Sequence, residues 1–341
     1  MNLFIFGATG DLVRRKVVPA LLSLNHPNLN IIALGRREFT DSMYQALVCE
    51  DDECRKKFEP KYYKVDFGDS LVCEDCDKYL SKNETNLFYS ALPPGQIEDV
   101  LKYVGLLKKG GFKVKLLIEK PFGTDLKHAK HLVSVIDQYG LQNDLFISDH
   151  YLFKDGVRKV RPRSFSKFKM VSLEDVGLEK RVGYFDRIGT LKDMIQSHFL
   201  NTIFRILNDK AEEFSDFKVD HYVRGQYLGY AKELGKKTET ETYVSLGIKT
   251  KNKYLEFISG KRFDSKLGYI EIDGKRTDFG ASKNDYKNVF SGFINDLRGD
   301  FATIDESILA WEIIEKIEMN KKPVVFYPIG MSSIQSIQNG L

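Results

Sequence analysis

Residues 3–22 constrain the fold more tightly than any other stretch. Leu3-Phe4-Ile5-Phe6 is an unbroken apolar run, it ends at Gly7-Ala8-Thr9-Gly10-Asp11-Leu12, and Val13, Val17, Val18, Leu21 and Leu22 follow at helical spacing. That order predicts a buried strand, a tight glycine turn and an amphipathic helix. Glycines at such a turn let the backbone come close to a pyrophosphate, and the helix start offers free N–H groups and a positive dipole end to it. A glycine pair alone carries little weight, whereas one framed by a strand before and a helix after meets the condition the motif demands.

Similar runs recur downstream. Ile31-Ile32-Ala33-Leu34 ends in Gly35-Arg36-Arg37; where an NAD site usually places an acid for the ribose hydroxyls, Arg36 suits a 2′-phosphate, so NADP is expected, with NAD possible. Leu87–Leu92 is closed by Pro93-Pro94-Gly95, which bars helix continuation. Lys113–Ile118 delivers Glu119-Lys120-Pro121-Phe122-Gly123 to the same sheet edge, and Leu145–Ser148 is the last strand. Strands alternating with helical stretches predict a Rossmann-type α/β domain, a doubly wound parallel sheet over residues 1–148. Residues 149–341 are expected to form an α+β domain with a largely antiparallel sheet, in which Tyr243–Ile248, Tyr254–Ile258 and Tyr269–Ile272 are adjacent strands.

Composition limits the alternatives. With 341 residues, 42% of them hydrophobic and 29% charged, two ordinary globular domains are expected. A net charge of +4, with both signs interspersed, gives no basic stripe for nucleic acid. No apolar run approaches a membrane span, and the first residues carry neither basic leader nor cleavage pattern, so a cytoplasmic location is the expectation. Cys49, Cys54, Cys73 and Cys76 lie within 28 residues, a spacing that four-thiolate zinc could use. Their acidic neighbours oppose deprotonation, so the expected state is free, reduced thiols on exposed helices, with no metal.

Two segments are rich in chemistry-bearing groups. Asp149-His150-Tyr151-Leu152-Phe153-Lys154 puts a carboxylate, an imidazole, a phenol and an ammonium at the exit of a buried strand; three of these can donate hydrogen bonds to a phosphate. In Gly183–His198, residues Ile188, Leu191, Met194 and Ile195 fall on one helical face. On that helix Asp193 and His198 are five apart, which α geometry separates by roughly 140°.

Together these motifs resemble the glucose-6-phosphate dehydrogenase family. The shared patches are Gly7–Leu12 with Lys16, Ala91-Leu92-Pro93-Pro94, Glu119-Lys120-Pro121-Phe122-Gly123, Asp149-His150-Tyr151-Leu152 with Lys154, Gly183–Asp186 through Asp193 and His198, and Asp296–Phe301 with Asp305-Glu306 and Ala310-Trp311. The resemblance implies a hydride transfer from C1 of glucose 6-phosphate, in which His198 is the general base and Asp149 orients and stabilises its imidazolium. It implies that His150, Tyr151 and Lys154 hold the phosphate and that Lys120, Glu174 and Asp193 bond the sugar hydroxyls. It implies further that Lys261 and Lys266 form a second cationic cluster at the substrate and that Lys16 lies between sugar and nicotinamide. The implied cofactor set is Gly7, Ala8, Thr9, Gly10, Asp11, Leu12, Arg36, Ala91, Leu92, Pro93 and Lys120. A homodimer is implied too, with each sheet of the second domain packed on its copy.

This sequence departs from the family in places. Family chains are usually longer; Ser197 stands where the family commonly has Asn, and Phe153 where it has Gly. The alternatives are an oxidoreductase of the glucose–fructose oxidoreductase type, acting on an unphosphorylated sugar or cyclitol, and a non-catalytic sensor of NADP and sugar phosphate. The phosphate set ending in Lys154 disfavours the first, and the pairing of Asp149 with His198 disfavours the second.

Overall fold

A computed structural model describes residues 1–67, 73–178, 182–207, 209–280 and 284–332. The chain forms two compact units, one of Met1–Phe153 with Lys283–Ile308, the other of Lys154–Ser282 with Leu309–Leu341.

In the first unit the expected apolar runs become β1 (Asn2–Phe6), β2 (Asn30–Gly35), β4 (Asn86–Ser90), β5 (Val114–Glu119) and β6 (Leu145–Ser148), joined by a short β3 (Lys61–Lys64). All pair in parallel, in the order β3-β2-β1-β4-β5-β6. The central strands are sealed on both faces, as a doubly wound sheet requires. Phe4 and Phe88, opposite one another in the β1–β4 register, stack with centroids 5.0 Å apart. Helices Ile97–Lys109 and Leu126–Tyr139 cover one side, and their close approach depends on Gly105, where a Cβ would lie 2.4 Å from the Tyr139 ring.

The reading of 149–341 as one domain differs from the structure at residues 149–153 and 283–308, both of which belong to the first unit. Burial explains the return. Helix Asp285–Ile294 inserts Val289, Phe290 and Phe293, each wholly buried. Phe290 meets Tyr89 edge-on at 5.1 Å, while Phe293 and Phe301 meet Phe146 at 5.1 and 5.0 Å. An ion pair between Lys115 and Asp296, 3.3 Å apart, closes the edge.

The second unit is built on a seven-stranded sheet: β7 (Lys167–Leu173), β8 (Lys218–Tyr227), β9 (Tyr243–Lys249), β10 (Tyr254–Gly260), β11 (Leu267–Ile272), β12 (Lys275–Asp278) and β13 (Val324–Tyr327), ordered β12-β11-β7-β10-β9-β8-β13. Four of its six pairings are antiparallel. One expectation fails: β10 and β11 are not neighbours, because β7 lies between them, parallel to β10 and antiparallel to β11. Its residues 170–173 are all buried, which suits a central strand. A tyrosine-rich core of Tyr227, Tyr230, Tyr243 and Tyr327 with Phe185, Ile258 and Phe263 packs one end of the sheet.

The cysteines also depart from expectation. Cys49 pairs with Cys54 and Cys73 with Cys76, both with Cα atoms 5.4 Å apart, inside disulfide reach. Three are buried rather than exposed. The backbone brings each pair together: Asp51 caps the helix Asp52–Lys57 by accepting from the Cys54 N–H, and the Cys76 N–H donates to the Cys73 carbonyl across one turn.

Candidate active site

The dinucleotide edge lies where strand order reverses, between β1 and β4, and both strands release their turns there. The Ala91 N–H donates to the Phe6 carbonyl at 2.9 Å, drawing the two turns together. Gly7 has φ +77°, and a Cβ on it would lie 3.0 Å from the Leu92 side chain and 3.2 Å from the Ala91 carbonyl. Only glycine fits, which leaves a bare backbone trough beside Ala8, Thr9 and Gly10, with Asp11 and Leu12 leading into the helix that continues through Val13–Val17 and Val18–Leu24. The trough fits a pyrophosphate. At the end of β2, Arg36 is exposed, while Arg37 lies over Phe39, its centroid 5.3 Å away. Pro93 and Lys16 are exposed on the same unit.

The exits of β5 and β6 form a buried polar cluster. Tyr89 donates to Glu119 Oε1 at 2.8 Å, and Tyr286, from the returning helix, reaches Oε2 at 3.5 Å. Burial, helped by the Asp149 charge, pushes the Glu119 carboxyl up to about 7 against these two hydrogen bonds. Next to it, burial pushes Lys120 down to about 8, although Asp149 and Glu306 favour its charged form. Among the described residues its Nζ is buried without a hydrogen-bond partner, an orphaned donor of the kind a ligand satisfies. Asp149 is wholly buried and accepts from the Tyr151 N–H at 3.0 Å, so it caps the single turn His150–Phe153. His150 is half-buried and stacked on the Tyr286 ring at 5.8 Å.

In the second unit, Lys154 is buried at the start of helix Asp155–Lys159. Lys261 and Glu174 form an ion pair at 2.5 Å, with the lysine side chain 7% exposed and the glutamate 33%. The Lys261 backbone is held by Thr242 and by the Tyr327 hydroxyl, which fixes where that charge sits. Lys266 is exposed. Leu191–Ile206 is one helix whose first nine residues, to Phe199, are wound in the wider π form. Its hydrogen bonds repeat every five residues, so Asp193 and His198 return toward one face instead of diverging by the α-helical angle. Both are half-buried, while Leu191, Met194 and Ile195 face the core.

Sequence reasoning passed over Tyr89, Tyr286 and the role of Glu119. Tyr89 sits in the pattern of a buried strand, and Tyr286 is 167 positions from Glu119, so no local spacing joins them.

A glycine trough at the switch point of a parallel sheet, with an orphaned lysine at the same edge, defines the first unit as the dinucleotide-binding half of a nicotinamide-dependent oxidoreductase. The chain belongs to the glucose-6-phosphate dehydrogenase family: residues 4–159 match its NAD binding domain and residues 163–221 its C-terminal domain. A relative from Helicobacter pylori strain J99, named glucose-6-phosphate 1-dehydrogenase, is 27% identical over 287 residues, covering 72% of this chain and 68% of its own. Among solved structures, the glucose-6-phosphate 1-dehydrogenase of Mycobacterium avium superimposes with a TM-score of 0.84 at 20% identity, covering 99% of this chain and 96% of the other. A glucose-6-phosphate dehydrogenase solved in complex with glucose 6-phosphate gives 0.80 at 20% identity, with the same coverage. Among the described residues no helix is long and apolar enough to cross a membrane.

Glu119 makes stability depend on pH. Its folded value of about 7 lies above the ordinary 4.5, so the folded chain binds more protons between the two, and stability falls as pH rises through that window. Glu119→Gln is expected to flatten this slope, gaining roughly 2–3 kcal/mol relative to the parent between pH 4.5 and 7.5. Urea unfolding at several pH values measures it; parallel stability curves for the two proteins would refute the assignment.

Proposed function

We propose that the chain oxidises glucose 6-phosphate at C1 to 6-phosphogluconolactone with NADP as acceptor, the first step of the oxidative pentose phosphate pathway. The observation that carries this reading is that Asp149-His150-Tyr151-Leu152-Phe153-Lys154 begins directly after β6, on the sheet that forms the dinucleotide trough. Such a set has no purpose for a substrate without phosphate, and family membership supplies the sugar.

The nicotinamide supplies the acceptor for the C1 hydride. His198 takes the C1 hydroxyl proton as the carbon gives up that hydride, leaving the C1=O of the lactone and an imidazolium. Asp149 orients the imidazole and stabilises its charge. Base catalysis of this kind is worth about 10²–10⁴-fold. His150, Tyr151 and Lys154 grip the phosphate, and this remote grip fixes C1 against the nicotinamide. Lys120 donates from its orphaned Nζ to a sugar hydroxyl and borders the cofactor. Glu174 and Asp193 bond the remaining hydroxyls, Lys261 and Lys266 add positive charge, and Lys16 lies between sugar and nicotinamide. Gly7, Ala8, Thr9, Gly10, Asp11, Leu12, Ala91, Leu92 and Pro93 form the pyrophosphate trough, and Arg36 holds the 2′-phosphate. The working form is a cytoplasmic homodimer joined through the seven-stranded sheet.

Absorbance of reduced nicotinamide, followed with glucose 6-phosphate or glucose and with NADP or NAD, tests this directly. The expected result is turnover with the phosphorylated sugar and preference for NADP. No turnover with either cofactor refutes the enzyme reading, and equal use of glucose favours the unphosphorylated-sugar alternative. His198→Asn should lower kcat by about 10²–10⁴-fold with little change in substrate affinity; near-normal turnover would remove the base. Arg36→Ala should impair NADP use more than NAD use in steady-state kinetics, and equal losses would remove the 2′-phosphate contact.

A further inference from the structure

The helix proposed to carry Asp193 and His198 starts on a buried ion pair that none of the assigned roles uses. Glu241 and Arg224 are 5% and 1% exposed. Arg224 donates through Nε and Nη2 to Glu241 Oε2 at 3.2 and 2.7 Å, and its remaining donors reach the backbone carbonyls of Lys322 at 2.6 Å and Glu239 at 2.7 Å. That leaves Glu241 Oε1 for the helix. It accepts from the Leu191 N–H at 3.1 Å, and the Glu241 backbone carbonyl accepts from the Thr190 N–H at 3.1 Å and its hydroxyl at 3.2 Å.

The approach is too close for any side chain at the preceding residue: a Cβ on Gly189 would lie 2.4 Å from Glu241 Oε1, and φ there is +72°. The first N–H groups of a helix have no partner within it, so a carboxylate fixed at this point sets where winding begins and how the helix is rotated. A buried pair is weak evidence of stabilisation, because apolar replacement is often neutral; its better-attested use is to fix one arrangement among several. Here the arrangement is the π-wound start that brings Asp193 and His198 toward one face.

We infer that Glu241, held by Arg224, is a positioning residue that sets the helix Leu191–Ile206 so that Asp193 and His198 address the substrate. The inference rests on the function proposed above and adds to it a specific device. It acts through the Leu191 N–H bond, and it makes no contact with sugar or cofactor.

Single substitutions would strand a buried charge and unfold the chain, so the test uses two double variants. Arg224→Met with Glu241→Gln removes both charges and keeps a carbonyl for the Leu191 N–H. Arg224→Met with Glu241→Leu removes that acceptor too. Both lose the Arg224 bonds to Lys322 and Glu239, so the difference between them isolates the helix contact. With glucose 6-phosphate and NADP, the Gln pair is expected to keep kcat within about threefold of the parent, and the Leu pair to lose about tenfold or more, at unchanged NADP affinity. Hydrogen exchange of residues 191–199, followed by mass spectrometry, should accelerate in the Leu pair alone. Equal turnover and equal exchange in the two variants would overturn the inference. Because exchange needs no turnover, an inactive parent protein would fell the proposed function while the exchange comparison still decided whether Glu241 anchors the helix.

Discussion

The reversal of strand order between β1 and β4 is the constraint on which the rest of the first unit depends. Parallel strands sealed on both faces leave only their carboxyl ends open, and at the reversal two turns leave the sheet in opposite senses. The Ala91-to-Phe6 hydrogen bond draws those turns so close that residue 7 must lack a side chain. The glycine there is a consequence of packing. The trough it leaves is what a dinucleotide can use, so cofactor recognition follows from the topology rather than from a separately built pocket.

The same edge concentrates ionisable groups whose burial works in opposite directions. Glu119 is pushed toward its neutral form and so is Lys120, the one by gaining a proton and the other by losing it. Shifts of this kind cluster where chemistry is done. Two tyrosines from distant parts of the chain hold Glu119, one of them on the segment that returns from beyond the second sheet. The return serves the core through Phe290 and Phe293, and it brings Tyr286 to the functional edge at the same time.

Much of this was legible in the sequence because it is local. Five strands of the parallel sheet are short apolar runs, four of them closed by a nearby glycine or proline and β6 by Asp149, and the polar residues that matter there stand close after them. What stayed hidden depends on partners far along the chain or on small changes in winding. The run Lys167–Leu173 is apolar mainly in its second half, so nothing in it announced the strand that separates β10 from β11. Apolar spacing over 188–195 indicated a helix but not its π winding, which alters the angle between Asp193 and His198. The cysteine spacing is compatible with free thiols, metal or disulfides, and the choice is made by the turn that Asp51 caps and by the helical turn at Cys73. Nothing local marks Arg224 and Glu241 as partners, since 17 residues separate them and each looks like an ordinary charge near a strand end.

The central claim is chemical: a hydride leaves C1 of a phosphorylated sugar for the nicotinamide. Glucose 6-phosphate deuterated at C1, incubated with the chain and NADP, measures it without intermediaries. The account predicts that mass spectrometry finds the deuterium on the nicotinamide ring of the reduced cofactor and a lactone or its hydrolysed acid as the sugar product. Reduced cofactor lacking the label, or label retained on the sugar, would contradict it.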